Sequence, residues 1–361
     1  MSGESTTSNT LSLNLMLDKL REIPNGGLKL LDLAAALSHK GHREAATQAE
    51  LAALELDDPR VLHEWRLIQA RRSPANQFLL LHNDLRTKSF QQALADRTST
   101  GDLILELGTG SGILAMLAAQ TESHQVVTCE AQPLMAKVAE SIIKDNGLAE
   151  KISVVPKHAA KLKIGIDLPR RANILISDMF TGALLEAGGL KLIRRARKQL
   201  TCPKGFVIPA EATLRGRLVG GRDLERLCRA NGAGDMDLSR FNLFSPTVVP
   251  ILPERFATIE YRTFSETIDC FHFNFNSLSG FEPSEKAELI EPTDDGEALG
   301  FLQWLRLELS PGNLLESDED SKIAWSRYLH VFPNNLKLRT GKSVRLHMKH
   351  DMTTFSVWPD G

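Results

Sequence analysis

The stretch from Asp102 to Glu130 limits the fold of this chain more than any other. It reads DLILEL, then GTGSG, then ILAMLAAQ, and shortly afterwards QVVTCE. A short apolar run that ends in glycines and opens straight into a helix-like segment is the strand–turn–helix unit of a parallel sheet. Similar runs follow at Ile152–Val155 (ISVV) and Ala172–Ser177 (ANILIS), with helix-like segments such as PLMAKVAESIIKDNG between them. Strands alternating with helices predict a parallel α/β sheet.

The turn itself carries chemistry. Gly108, Gly110 and Gly112 let the backbone approach a ligand, and the helix that follows offers free N–H groups. A pyrophosphate-binding turn wants its third glycine one residue later, in the pattern GxGxxG. Glu130 closes the second strand, where a carboxylate accepts both ribose hydroxyl protons. The early third glycine together with Glu130 favours an adenosyl cofactor without phosphates, S-adenosylmethionine, over NAD. Thr109 in the turn and Ala131 beside Glu130 belong to the same candidate set.

Either side of this unit the texture changes. Residues 1–10 are rich in Ser and Thr and read as unstructured. From Leu11 to about Gln69 the spacing is helical, broken at Gly41 and ended at Asp58–Pro59. Ala45, Ala46 and Ala53 are small residues where two helices would cross, as in a tetratricopeptide-type hairpin. One such hairpin cannot bury its own face and must pack on the rest of the chain or on another subunit. Residues 73–97 read as one or two further helices. Beyond Pro209, segments such as ATLRGRLVG, ATIEYRTF, CFHFNFN, GFLQWLRLEL and SVRLHMKH predict an antiparallel barrel or sandwich, with a helical excursion at 222–246.

Composition excludes several classes. Lys and Arg number 43 against 45 Asp and Glu, a balance that argues against a non-specific nucleic-acid binder. No stretch approaches the roughly 20 apolar residues a membrane-spanning helix needs. The first ten residues lack the basic and apolar regions of a secretory signal. Cys129, Cys202, Cys228 and Cys270 are far apart and show no metal-ligand spacing, which suggests reduced thiols in a cytoplasmic protein without a metal site.

Several motifs together resemble the protein arginine methyltransferases, most closely the seventh and ninth members of that family, over roughly Ser73 to Val357. LELGTGSGILAMLA is similar to the family's first cofactor motif and ANILISDMF to its fourth-strand motif. LLHNDLRT (80–87) is similar to its helix motif, which implies that Arg86 binds the cofactor carboxylate; guanidinium matches carboxylate in bidentate fashion. KHAAKL (157–162) resembles the segment that lines the adenine, which places His158 there. The family clamps its substrate guanidinium with two glutamates nine residues apart. Here the first position is Asp178, and Glu186 falls one residue early. Leu302, Gln303 and Trp304 stand where the family has a Thr-His-Trp loop beside the guanidinium. Phe180 is bulky where dimethylating members carry methionine, which implies arrest at monomethylarginine. MDLSRFNLFSP (236–246) resembles a dimerisation arm and implies a homodimer.

The resemblance divides the chain into a helical extension (1–72), a Rossmann-like cofactor domain (73–209) and an antiparallel β-barrel domain (210–361) with an arm at about 222–246. The implied activity is methyl transfer to an arginine of a protein or peptide. Free L-arginine is the alternative acceptor, and a cofactor-binding scaffold without turnover is the rival outside enzymology. Against a nucleic-acid methyltransferase stands the absence of an Asn/Asp-Pro-Pro-aromatic loop after ANILIS.

Overall fold

The computed structural model describes residues 4–70, 76–123, 125–180, 182–185, 188–279, 281–321, 323 and 325–360. Its middle is a five-stranded parallel sheet: β1 (Leu103–Leu107), β2 (Gln125–Cys129), β3 (Ile152–Val155), β4 (Ala172–Ser177) and β5 (Thr201–Ile208), in the order β3-β2-β1-β4-β5. All five residues of β1 are buried, as a strand covered by helices on both faces requires. The chain runs outward from β1 in both directions, so β1 and β4 flank the point where the strand order reverses. Ligands bind such sheets at the carboxyl ends of the strands at that point.

The edge strand β5 escapes a reading by pattern. TCPKGFVI contains Pro203 and Gly205, which punctuate a sequence as a turn does. At a sheet edge the missing proline N–H costs no ladder bond. Helices α6 (Asp84–Arg97), α7 (Ile113–Ala119), α8 (Pro133–Asp145) and α9 (Gly189–Gln199) belong to the same layered unit.

The N-terminal extension comprises α1 (Glu4–Arg21), α2 (Gly26–His39), α3 (Arg43–Leu54) and α4 (Pro59–Ala70). The Ser/Thr-rich start, read from sequence as unstructured, is helical from Glu4. Leu30, Leu31, Ala34, Ala49, Ala53 and Val61 form a small core separate from the main one. The alanines at the crossing let α2 and α3 approach closely, and α3 packs on α8. The extension therefore packs through α3 against its own chain.

After Pro209 come two larger antiparallel sheets and a two-stranded hairpin. The larger is seven-stranded, with β6 (Glu211–Gly220), β13 (Gly296–Ser310) and β15 (Arg327–Leu338) at its centre; the smaller has three strands. The 222–246 excursion is only partly helical: α10 (Arg222–Cys228) is followed by a two-stranded hairpin and a 3-10 turn at Ser239–Phe244. ATIEYRTF pairs only at Arg262–Thr263, because its earlier residues follow a short helix at Pro253–Phe256. Among the described residues no helix is long and apolar enough to cross a membrane.

Candidate active site

A cavity of about 400 Å³ opens at the carboxyl ends of β1, β2 and β4. The turn after β1 forms its floor. Gly108 sits at φ +85, and a Cβ there would lie 2.9 Å from Met179 Cγ, so only glycine keeps this floor clear. The N–H groups of Gly108 and Thr109 both bond to the Cys129 carbonyl at 3.0 Å, which ties the turn to β2. Gly112 lies behind the cavity as the N-cap of α7, also at φ +85.

Glu130 leaves β2 at the side of this turn. Its two carboxylate oxygens accept the Gly110 N–H at 3.1 Å and the Gln132 N–H at 2.9 Å. These bonds fix the carboxylate while leaving lone pairs for a diol. Ala131 follows in the lining, and His158 lines the cavity from an exposed position where its Nδ1 accepts the Ala160 N–H at 3.2 Å. A second cavity, of about 420 Å³, separates Thr47 and Glu50 of α3 from Gln132 and shares Glu130 with the first. The extension thus borders the site of its own chain.

Arg86 enters from the first turn of α6. Asn83 caps that helix, its side chain accepting the Arg86 N–H at 3.0 Å, so the cap fixes where the arginine emerges. The guanidinium lies 5.4 Å from the Phe90 ring centre and donates through Nε to Asp178 Oδ2 at 2.5 Å, with a second contact from a terminal nitrogen to the same oxygen. Asp178 follows β4 directly, and its side chain is only 5% exposed. Burial pushes its carboxyl above the ordinary carboxylate range, and the charge on Arg86 opposes that shift. Asp178 Oδ1 is buried and has no hydrogen-bond partner among the described residues.

Glu106, inside β1, belongs to the same lining and was not anticipated. The Thr128 hydroxyl donates to its Oε2 at 2.6 Å, and Thr109 Oγ1 lies 2.7 Å from Thr128 Oγ1. Burial raises the Glu106 carboxyl to about 8, so it is largely protonated at neutral pH. The signal in the sequence was the acid itself. A carboxyl in the middle of an apolar strand is expensive to bury and needs a reason.

Comparison with known proteins places this geometry. A family model described as ribosomal protein L11 methyltransferase (PrmA) matches residues 86–186. The chain is 29% identical over 282 residues to an arginine N(omega)-methyltransferase of Streptomyces achromogenes subsp. streptozoticus, covering 78% of this chain and 77% of that protein. It is 25% identical to protein arginine N-methyltransferase 7 of Bos taurus over 71% of this chain, but spans only 40% of that longer protein. This chain is similar to the arginine N-methyltransferases. Its fold is that of the Trypanosoma brucei PRMT1 enzyme–prozyme complex with AdoHcy (TM-score 0.65, 19% identity, 76% of this chain and 87% of that one). Arabidopsis thaliana protein arginine methyltransferase 10 is similar too (TM-score 0.61, 15% identity, 78% and 97%).

The structure gathers some of the residues singled out by resemblance to the methyltransferases and leaves others apart. Arg86, Gly108, Thr109, Gly110, Glu130, Ala131, His158 and Asp178 line one cavity. Glu186 lies outside the described residues. Gln303 and Trp304 are not in that lining. Gln303 is buried, with Nε2 donating to the Gly182 carbonyl at 2.8 Å. Trp304 is also buried, and its indole N–H donates to Glu316 Oε1 at 2.8 Å. Phe180, read as crowding the acceptor nitrogen, stacks on Phe275 with ring centres 5.6 Å apart and joins the main core. The crowding argument for monomethylation therefore has no support from its position.

Proposed function

We propose that this chain transfers a methyl group from S-adenosylmethionine to a guanidino nitrogen of arginine. The observation that carries this reading is Asp178: a buried carboxylate at the switch point of the sheet, with one oxygen shared with Arg86 and the other unpartnered among the described residues. A buried acceptor without a donor is costly, and a planar guanidinium supplies donors in a matching fork.

The lining suits the cofactor. The Gly108 floor is clear of side chains, Glu130 offers oxygens to a ribose diol, and Arg86 offers a guanidinium to a carboxylate. With five N–H donors Arg86 can serve Asp178 and a ligand carboxylate together. Glu106 lies beside Arg86 in the same lining as a neutral acid. When bound, S-adenosylmethionine supplies a methyl group on a positively charged sulfur. Asp178 would hold the substrate guanidinium at the cavity through its unpartnered oxygen and orient the nitrogen that accepts the methyl group. Glu186 is the second acid of this clamp. No strong base is required, because methylation itself acidifies the nitrogen.

A mass-spectrometric methylation assay on free arginine and on Arg-rich peptides tests the reading; methylation of neither, with cofactor bound, would make the chain a scaffold. Peptidyl arginine is the first acceptor class. Free L-arginine is the second, supported by the name of the Streptomyces relative and by the shorter side chain at Asp178. We read the chain as three parts at about residues 72 and 209, the two antiparallel sheets as a flattened barrel, and the extension as tetratricopeptide-like. Met236, Phe241, Leu243 and Phe244 are exposed, the last two at 89% and 76%, which suits an arm that closes a homodimer. Light scattering giving a monomer mass at micromolar concentration would contradict that assembly. The free thiols suit a cytoplasmic location.

A further inference from the structure

Gln303 does not line the cofactor cavity, yet both ends of its carboxamide are engaged. Nε2 donates to the Gly182 carbonyl at 2.8 Å, and Oε1 lies 3.1 Å from His330 Nε2. The Gly182 carbonyl accepts only, so the carboxamide must turn its nitrogen toward Gly182 and its oxygen toward His330. His330 then donates through Nε2–H. Burial lowers the His330 imidazole to about 4, which keeps it neutral and compatible with that single tautomer. The His330 ring is held edge-on to Phe355, with centres 5.0 Å apart. Gln303 on β13 pairs with Tyr328 on β15, and Phe301 pairs with His330, so Gln303 and His330 are diagonal neighbours on one face of the sheet.

The segment they hold follows Asp178. At Gly182 a Cβ would fall 1.8 Å from the Ser326 carbonyl oxygen, so the segment lies flush against the antiparallel domain. Leu184 is buried in the left-handed region at φ +61, a conformation a leucine keeps only where its surroundings impose it. A small cavity of about 130 Å³ between Ala183, Leu185, Gln303 and His330 leaves room for this segment to shift if the tie is lost.

We propose that Gln303 and His330 act as one positioning unit: the Gln303 carboxamide, oriented by His330, ties the Gly182 carbonyl to the antiparallel sheet and so sets the placement of the substrate-binding segment that begins at Asp178. This role presupposes the arginine-methylating site described above. It makes Gln303 a positioning residue outside the cofactor cavity.

The test uses the full chain with Gln303→Met, His330→Phe and the pair combined. Amide exchange by mass spectrometry reads the segment directly, and steady-state kinetics with S-adenosylhomocysteine calorimetry read the site. Exchange through Gly182–Leu185 should rise about tenfold in each single variant, the scale of one lost hydrogen bond. The kcat/KM for the arginine substrate should fall about tenfold, mostly through KM, with cofactor affinity within about twofold. The double variant should be no worse than the worse single one, because the two residues form one unit. His330→Phe keeps the Gly182 donor but frees the carboxamide to rotate, so it reads the same quantities if Gln303→Met does not fold. Unchanged exchange in the folded variants overturns the proposal. So does cofactor affinity falling in step with kcat/KM, which would mean general loosening. If the wild type methylates no arginine substrate, the reading of the site fails while the exchange measurement still decides the tie.

Discussion

The two sheet layers differ in how they deliver side chains. On the parallel-sheet side, Glu106, Gly108, Glu130 and Asp178 come from three strands or their ends, and all face one cavity. On the antiparallel side, Gln303 and Trp304 are neighbours in β13 and serve different partners, Gly182 and Glu316. Parallel strands all point their carboxyl ends the same way, so whatever follows them converges. Along a single strand successive side chains leave from opposite faces, so two adjacent residues cannot both reach one site. A motif carried by strand ends thus transfers as a group. A motif carried inside a strand transfers at most every second residue.

The sharpest way to break this contrast is at Asp178. Asp178→Asn keeps the shape and the contact with Arg86 but loses the charge that steadies a guanidinium. Turnover on arginine should fall by about a hundredfold or more, while S-adenosylhomocysteine affinity stays nearly unchanged. Steady-state kinetics beside calorimetry check this, and turnover within about threefold of wild type would remove Asp178 from the substrate wall. Asp178→Glu restores the family's length. It should raise activity if a peptide is the acceptor and lower it if the pocket is shaped around free arginine.

Arg86→Ala comes next and acts on the other ligand. Cofactor affinity should weaken by about 2–3 kcal/mol, the scale of a charge-assisted pair. The fold should lose stability as well, because Asp178 is left buried without its cation. Calorimetry with S-adenosylhomocysteine and thermal unfolding measure the two losses separately. Unchanged affinity would place the ligand carboxylate elsewhere.

The same contrast explains what could be read from the chain alone. Arg86, Glu130 and Asp178 were legible because each sits at a fixed offset from a strand or a cap, and local sequence sets that offset. Strand β5 was not, because Pro203 and Gly205 look like a turn unless one knows they lie at an edge. Gln303 stands at a family motif, but the groups it bonds to are not set by local sequence. Its partners Gly182 and His330 are 121 and 27 residues away and meet it only through tertiary packing. Glu106 was visible as an acid in an apolar strand, yet its role depends on Thr128, which lies on the adjacent strand.

Glu106 offers a test by pH. Its folded value of about 8 lies above the ordinary 4.5 of the unfolded chain, so the folded state holds a proton the unfolded state has lost. The stability this proton contributes is fully present below about 4.5 and is gone once the pH has risen through about 8. Glu106→Gln cannot charge and keeps an acceptor for Thr128. It should match wild type near pH 4.5 and unfold at a higher temperature than wild type at pH 9. Cofactor affinity at neutral pH should stay within about twofold, since the protonated acid and the amide are both uncharged. Parallel melting curves for the two proteins across this range would exclude the buried acid.

The smallest expected effect belongs to Trp304, and its smallness is the point. Trp304 lies on β13 with its indole N–H on Glu316, and Glu316 also receives the Arg215 guanidinium at 2.6 Å. Trp304→Phe keeps most of the buried ring and removes one donor. Glu316 retains its charged partner, so the cost to stability should be about 1 kcal/mol, the low end for a buried polar group losing one bond. The ring does not line the cofactor cavity, so kcat and KM should both stay within about twofold. A ring that flanked the guanidinium would behave otherwise. Its loss of indole area and polarity would raise KM for the arginine substrate several-fold while leaving the melting temperature alone. Measuring kcat, KM and the melting temperature on Trp304→Phe beside Gln303→Met separates the two cases. A kinetic defect in Trp304→Phe as large as that of Gln303→Met would mean that both neighbours act on the site, against the alternation of β13.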